Sequence, residues 1–267
     1  MHTNGELKIH DMNYNSLWIS KLITTSSIGG YYLLLQNDGN LVIYDATNTP
    51  YWGLSNSKFC IFLIIYLSMS NLTDLISGAN LFGGSSYSFV SDRFGSPNSA
   101  IYFNKGYLQV PAGVYFSGDF TVTAWIYLKS YQSFSRIFDF GNGEGSDNVI
   151  LAMSETTSQI RGFTFYKSSY SYSDIMSSSK VNLNEWYFVS FVLSDTTGFI
   201  YVNGNQVASG TLNVPNNITR KSNYIGKSNT TVYPNADAIY DEIKIYQGAL
   251  SSDYIMNEYQ ISSNNSK

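Results

Sequence analysis

The sequence is short of the residues that most often carry covalent or metal chemistry. It has one cysteine, two histidines and five prolines in 267 residues, and only 13% of the chain is charged. A single thiol cannot close an internal disulfide, and Cys60 lies in an apolar run with no base beside it, which reads as a buried, inert side chain. His2 and His10 both stand near the start, so there is no Cys/His cluster for zinc and no histidine after residue 10 for a Ser-His-Asp arrangement. A net charge of -4 gives no electrostatic reason to hold nucleic acid or an anionic membrane.

Long apolar runs are scarce as well. The clearest, FCIFLIIYLSM from Phe59 to Met69, falls well short of the ~20 residues a helix needs to cross hydrocarbon, so no membrane insertion is expected. Its Ile-Ile-Tyr centre reads as a buried strand, with an internal signal-like segment as the alternative. The opening MHTNGELKIH has no basic segment followed by an apolar core, so a secreted product implies a start upstream of Met1.

What is abundant is aromatic and neutral-polar. The chain has 23 tyrosines and 16 phenylalanines, and its polar surface is largely Ser and Asn, a profile of β-rich proteins with hydroxyl and amide surfaces. An ungapped offset of 34 residues places GELKIHDMNYNSLW (Gly5 to Trp18) on GNLVIYDATNTPYW (Gly39 to Trp52), matching Gly5/Gly39, Leu7/Leu41, Ile9/Ile43, Asp11/Asp45 and Trp18/Trp52. Two copies of one β unit are the simplest reading. Asp38-Gly39 could close a turn, but the residues around it also read as one continuous strand, and so read LLQNDGNLVIYD (Leu34 to Asp45) turns Leu33, Leu35, Leu41 and Ile43 to one side, and Gln36, Asp38, Asn40, Val42 and Tyr44 to the other. Amide, carboxylate and phenol around one small apolar contact suit a neutral ligand with fixed hydroxyls, such as a sugar.

The pattern Gln-x-Asp-x-Asn-x-Val-x-Tyr at 36 to 44 resembles the mannose-binding motif of the bulb-type (monocot mannose-binding) lectins. The resemblance implies a partial β-prism of about two subdomains over residues 1–57. It implies that Asp38 and Asn40 hold the 2-hydroxyl of mannose, Gln36 the 3-hydroxyl region and Tyr44 the 4-hydroxyl, with Val42 against the ring and no metal required. In the first copy the same positions are His2, Asn4, Glu6, Lys8 and His10, so one intact motif is present. A homo-oligomer completing the truncated prism is the partner this implies.

From about residue 61 the pattern is that of longer strands. FTVTAWIYL (Phe120 to Leu128) alternates strictly, Asn203-Gly204 marks a two-residue hairpin, and SSDYIMNEYQ is a serine-capped helix at the end. SDRFGSPNSAIYFNKGYLQVP, GDFTVTAWIYL, RIFDFGNG, NEWYFVSFVLS, FIYVNGNQV and IYDEIKIYQGALSSDYI, in that order, resemble the laminin G-like jelly roll of the concanavalin A-like lectin/glucanase superfamily. The fold class expected is therefore all-β: a partial β-prism followed by a two-sheet antiparallel jelly-roll sandwich over residues 61–262, with Leu63 to Ser68 as its first strand and the junction near Asn56 to Phe59.

Glucanases of that superfamily carry carboxylates as Glu-x-Asp-x-Glu on one strand, aiming nucleophile and acid at one cleft. From Asp74 onward no acids stand two apart, and Asp241-Glu242, being adjacent, are expected on opposite faces, so no hydrolase is expected. Some laminin G-like domains bind calcium at the rim, which makes Asp139, Asn142, Asp147 and Asn148 candidate oxygen ligands, although loops of this composition are also ordinary turns. Tyr166, Tyr170 and Tyr172 can stack on sugar faces or form plain surface. Sequons at Asn71, Asn217, Asn229 and Asn264 fit an extracellular chain. Glycans or glycoproteins are the expected partners; the alternative is a non-catalytic adhesion protein that binds protein through the jelly-roll rim.

Overall fold

A computed structural model of the chain describes residues 62–264 except 155–156 and 168–169, together with the backbone of five short strands before residue 62. The chain divides into two compact units, Met1–Cys60 and Ile61–Lys267.

In the first unit β1 (Lys8–His10) pairs with β2 (Ser16–Ile19), and β3 (Tyr32–Leu35), β4 (Leu41–Tyr44) and β5 (Pro50–Gly53) form a three-stranded antiparallel sheet. The 34-residue offset recurs in the backbone. Ile9 faces Trp18 and Ile43 faces Trp52, and each pair shifts register at the next step, His10 with Ser16 and Tyr44 with Pro50. One continuous strand through 34–45 is not what forms: Leu35 pairs with Leu41, so β3 and β4 are separate antiparallel strands. Pairing them satisfies backbone groups that a single extended segment would leave open.

The second unit is all-β with one terminal helix. Its strands are β6 (Phe62–Leu67), β7 (Phe82–Val90), β8 (Ala100–Val110), β9 (Phe120–Leu128), β10 (Arg136–Gly141), β11 (Val149–Met153), β12 (Gln159–Phe165), β13 (Tyr172–Lys180), β14 (Trp186–Ser194), β15 (Thr197–Val202), β16 (Asn205–Thr211), β17 (Ser222–Ile225) and β18 (Ala236–Gln247), followed by α1 (Ser252–Asn264). Hydrogen bonding runs β13-β12-β11-β10-β17-β8-β18-β9-β14-β15-β16, with β6 on β18 and β7 on β8.

β18 is the pivot. Its first half lies between β8 and β9, and its second half between β6 and β9. The path therefore folds into two layers, and its ends meet where Ser178 Oγ of β13 donates to Val207 O of β16 at 3.0 Å. Between the layers Phe116 sits 4.9 Å from Phe120, and Phe120 5.2 Å from Phe191, ring to ring. Gly162 of β12 faces Phe191 of β14, where a Cβ would come within 2.7 Å of the ring, so only glycine lets the layers approach this closely.

The apolar run at Phe59 to Met69 enters this core through β6, with Ile65 and Leu67 buried. Asn203 and Gly204 both take positive φ, 50° and 78°, the geometry of a tight hairpin turn between β15 and β16. Along β9 Thr121, Thr123 and Trp125, on the face opposite the sandwich core, are buried as well, with Trp125 packed against Ile255 and Tyr259 of α1. Ser251 caps the helix, its Oγ accepting the Tyr254 N–H at 3.3 Å.

Candidate functional site

The opposite outer face, over β10 to β13, carries its own apolar cluster. Cross-strand register sets Asp139 beside Ile150, Ile150 beside Phe163 and Phe163 beside Asp174. A second row runs Arg136, Ala152, Arg161, Met176, and Phe165 pairs with Tyr172. Strand alternation turns these side chains away from the core, while Phe138, Leu151, Ile160 and Ile175 point into it.

Loops around this floor close a cleft of about 280 Å³, lined by Phe134, Arg136, Arg161, Phe163, Tyr172 and Tyr233 among others. Its aromatic wall is continuous: Tyr233 to Phe134 is 5.1 Å, Phe134 to Phe163 6.4 Å, Phe163 to Tyr172 5.7 Å and Tyr172 to Phe165 5.1 Å between ring centroids. Tyr170 and Tyr172 are 64% and 50% exposed, so their rings are open to a ligand. Phe134 and Tyr170 hold φ of 51° and 55°, left-handed conformations costing about 1–2 kcal/mol each for an L residue. Tyr170 is seated on Gly145, where a Cβ would stand 2.4 Å from the ring.

The two guanidinium groups are neutralised from within. Arg161 Nε bonds Asp174 Oδ2 at 2.6 Å and its guanidinium lies 4.9 Å from the Phe163 ring centre. Arg136 lies 3.5 Å from Asp139 Oδ2, donates to the Phe134 carbonyl and stacks 4.9 Å from Tyr233. Burial pulls the Arg136 pKa down more than Asp139 pushes it up, yet an arginine stays charged at neutral pH. The result is an aromatic cleft in which both arginines are balanced, with Glu144 as a further carboxylate in its lining.

Of the four calcium candidates Asp139 and Asn148 line this cleft and Asn142 and Asp147 do not, and each of the four has a side-chain oxygen that accepts a hydrogen bond from the protein. Asp139, 1% exposed, accepts from Asn148 Nδ2 at 2.7 Å, Asn229 N at 2.9 Å and Asn229 Nδ2 at 2.8 Å. Asn148 Oδ1 accepts the Ser146 N–H at 2.7 Å, Asn142 Oδ1 the Lys221 N–H at 3.0 Å, and Asp147 Oδ1 the Asn216 amide at 2.7 Å. Buried Arg220 fixes the loop from below through Asp147 O at 2.9 Å and Phe116 O at 2.8 Å; burial pushes its pKa down to about 10. Among the described residues no three His, Cys, Asp or Glu side chains converge as metal ligands. This wiring does not fit a calcium ion, which asks for several open oxygens at one point.

Of the tyrosines singled out in the sequence, Tyr170 and Tyr172 line the cleft and Tyr166 does not. The floor went unread, although Arg161, Phe163 and Phe165 at alternate positions of RGFTF are an outward aromatic stripe on one strand. In the first unit Gln36, Asp38 and Asn40 lie outside the described residues, and Val42 and Tyr44 fall in β4, described for its backbone alone.

The adjacent acids Asp241 and Glu242 do not face opposite sides. Glu242 takes φ of 48° at a register shift in β18, and both carboxylates reach Arg93, at 2.8 and 3.1 Å. Arg93 also donates to Ser262 O of α1 at 2.6 Å and stacks 4.5 Å from Trp125. That pair is a buried fastening for the helix.

Residues 103–256 match the family model described as the concanavalin A-like lectin/glucanases superfamily. A search of curated proteins gives no match. Among solved structures, domain 4 of the extracellular arabinanase AbnA from Geobacillus stearothermophilus, in complex with arabinotriose, superposes with a TM-score of 0.61 at 18% identity, over 74% of this chain and 98% of that one. The binding domain of Paraclostridial Mosquitocidal Protein 1 gives 0.58 at 16% identity, over 76% of this chain and 52% of that one. Trypanosoma rangeli sialidase gives 0.56 at 19%, over 76% of this chain and 33% of the enzyme. At these identities the likeness is one of fold, and the family match spans more than half of the sequence: the chain belongs to the concanavalin A-like lectin/glucanases superfamily.

Proposed function

We propose that the chain is an extracellular, non-catalytic carbohydrate-binding protein whose second unit takes a neutral sugar in the cleft over β10 to β13. The observation that carries this is the aromatic wall with two arginines already balanced by Asp139 and Asp174. Sugar rings offer apolar C–H faces to aromatic rings and hydroxyls to fixed donors, and with both arginines balanced and Glu144 in the lining no surplus positive charge favours an anionic one. The arabinotriose in the complex of the arabinanase domain supports a glycan as the ligand class.

The first unit is the place for a second, mannose-type site, in which Asp38 and Asn40 hold the 2-hydroxyl, Gln36 the 3-hydroxyl region and Tyr44 the 4-hydroxyl, with Val42 on the ring. The duplicated hairpin supports two related units of which the second keeps the motif. A second copy of the chain completing this unit makes the protein a homo-oligomer, which the solution mass from static light scattering checks. Neither site is assigned a metal.

A glycan array probed with the purified chain tests both sites, in calcium and then in EDTA, beside Tyr172→Ala and Asp38→Ala. Binding that survives EDTA and is lost with Tyr172→Ala places the ligand in the cleft; mannose-type binding lost with Asp38→Ala places a second in the first unit. Binding lost in EDTA alone would restore calcium at the rim. No binding in any arm would favour the adhesion reading, with a protein partner at the same rim.

A further inference from the structure

The structure separates the sequons by what their amides already do. Asn71 and Asn217 are exposed, and neither spends its amide nitrogen on a hydrogen bond recorded among the described residues; the Asn71 Oδ1 accepts the Thr73 N–H at 2.7 Å. Asn229 is different. Its Nδ2 donates to Asp139 Oδ1 at 2.8 Å and to Ser222 O at 2.9 Å, with Asp139 O at 3.4 Å, and its backbone N–H donates to Asp139 Oδ2 at 2.9 Å. An amide has two N–H donors, and both are committed to the strands beneath the cleft.

N-glycosylation joins Nδ2 to the anomeric carbon of an oligosaccharide carried on a lipid pyrophosphate; the amide loses one proton and the lipid pyrophosphate leaves. At Asn71 or Asn217 this replaces a proton facing water. At Asn229 it removes one of two buried donors and puts a sugar where Asp139 packs against Asn148 and Arg136. Asp139 would then hold a buried charge with fewer donors, which is costly.

We propose that Asn71 and Asn217 are N-glycan acceptor sites compatible with the folded chain, and that a glycan on Asn229 and an intact cleft floor exclude each other. The proposal rests on the geometry of Asn229 and stands whether or not the cleft binds sugar. Because the transfer acts on the chain before it folds, burial alone does not protect Asn229, and the consequence falls on folding.

The test is secretion of the full chain behind an added leader from a eukaryotic host, as wild type and as Thr231→Ala, which removes the Asn229 sequon at an exposed residue while keeping the amide. Peptide mapping after enzymatic release of glycans in heavy-oxygen water reads each site. Folded, secreted wild type is expected to carry glycans at Asn71 and Asn217 and none at Asn229, with a higher yield from Thr231→Ala. Folded protein bearing a glycan on Asn229 and melting with Thr231→Ala would overturn the proposal, as would bare Asn71 and Asn217. Bacterially produced variants keep it falsifiable if secretion fails: Asn229→Gln is expected to melt roughly 5 °C or more below wild type, and Asn71→Gln and Asn217→Gln within about 1 °C of it. Equal melting of all three would overturn it.

Discussion

The two outer faces of the sandwich use the same chemistry to different ends. One sets Arg93 against Trp125, Asp241 and Glu242, and the other sets Arg136 and Arg161 against Phe163, Tyr233, Asp139 and Asp174. The first is covered by α1, whose Ser262 accepts from Arg93 and from Trp125 Nε1 at 3.1 Å. The second is walled by loops and left open, with Tyr170 and Tyr172 exposed. Residue types alone do not tell a structural fastening from a binding surface; cover does.

Breaking the covered face should cost the most. Arg93→Ala leaves Asp241 and Glu242 buried without their cation, and removal of one partner from a buried ion network costs about 3–5 kcal/mol. Urea denaturation should show that loss. A loss under 1 kcal/mol would mean that water reaches these carboxylates and that the face is less sealed than its burial implies.

On the open face the largest structural effect is expected at Gly145→Ala. The new methyl meets the Tyr170 ring and the residue holds φ of 63°, so a loss of about 1–2 kcal/mol is expected together with displacement of Tyr170 from the wall. Unchanged stability with unchanged Tyr170 fluorescence would show that the ring is not fixed by this seat.

The covered face also has a predictable pH limit. Burial, the largest influence, pulls the Lys244 pKa down, but Glu258, 2.7 Å away in α1, pulls it up further, and the net shift is upward from 10.5. A raised folded pKa means that this pairing stabilises fully below the unfolded value and is lost as pH rises through the folded one. Helix packing, read by near-ultraviolet dichroism of Trp125, should therefore hold flat from about pH 7 to 9 and weaken only above 10.5. Weakening below that value, abolished in Lys244→Met, would reverse the assigned direction.

Much of the second unit was legible because its signals are local. Phe120 to Leu128 alternates by strand period, Asn203-Gly204 encodes its own turn, and Ser251 announces the helix. The cleft was not, because its floor is written across four strands: Asp139, Ile150, Phe163 and Asp174 meet only through register, and Tyr233 arrives from a distant loop. The hydrogen-bond partners of Asn142 and Asp147 in the Gly- and Asn-rich loop, Lys221 and Asn216, and of Asp139 before it, Asn229, lie some seventy to ninety residues away, so the sequence of the loop does not show them. The adjacent Asp241 and Glu242 misled for the opposite reason: strict alternation holds only where register does, and β18 shifts there.

The smallest stability change, and the sharpest separation of the two faces, is expected at Tyr172→Ala. Its ring is half exposed and touches Phe163 and Phe165 at their outer edges, so truncation removes little buried area and should move stability by no more than about 1 kcal/mol. The same change removes a stacking face from the wall, and sugar binding should fall about tenfold or more, a loss of ~1.4 kcal/mol in affinity. The covered counterpart, Trp125, is 4% exposed and stacks on Tyr259 and Phe188, so truncating it should behave oppositely: several kcal/mol of stability lost, with no direct ligand contact removed. Calorimetric titration beside urea denaturation for both variants decides the matter. If Tyr172→Ala instead lost stability on the scale of the Trp125 variant, the open face would be packing surface, and its aromatic wall would have no claim to a ligand.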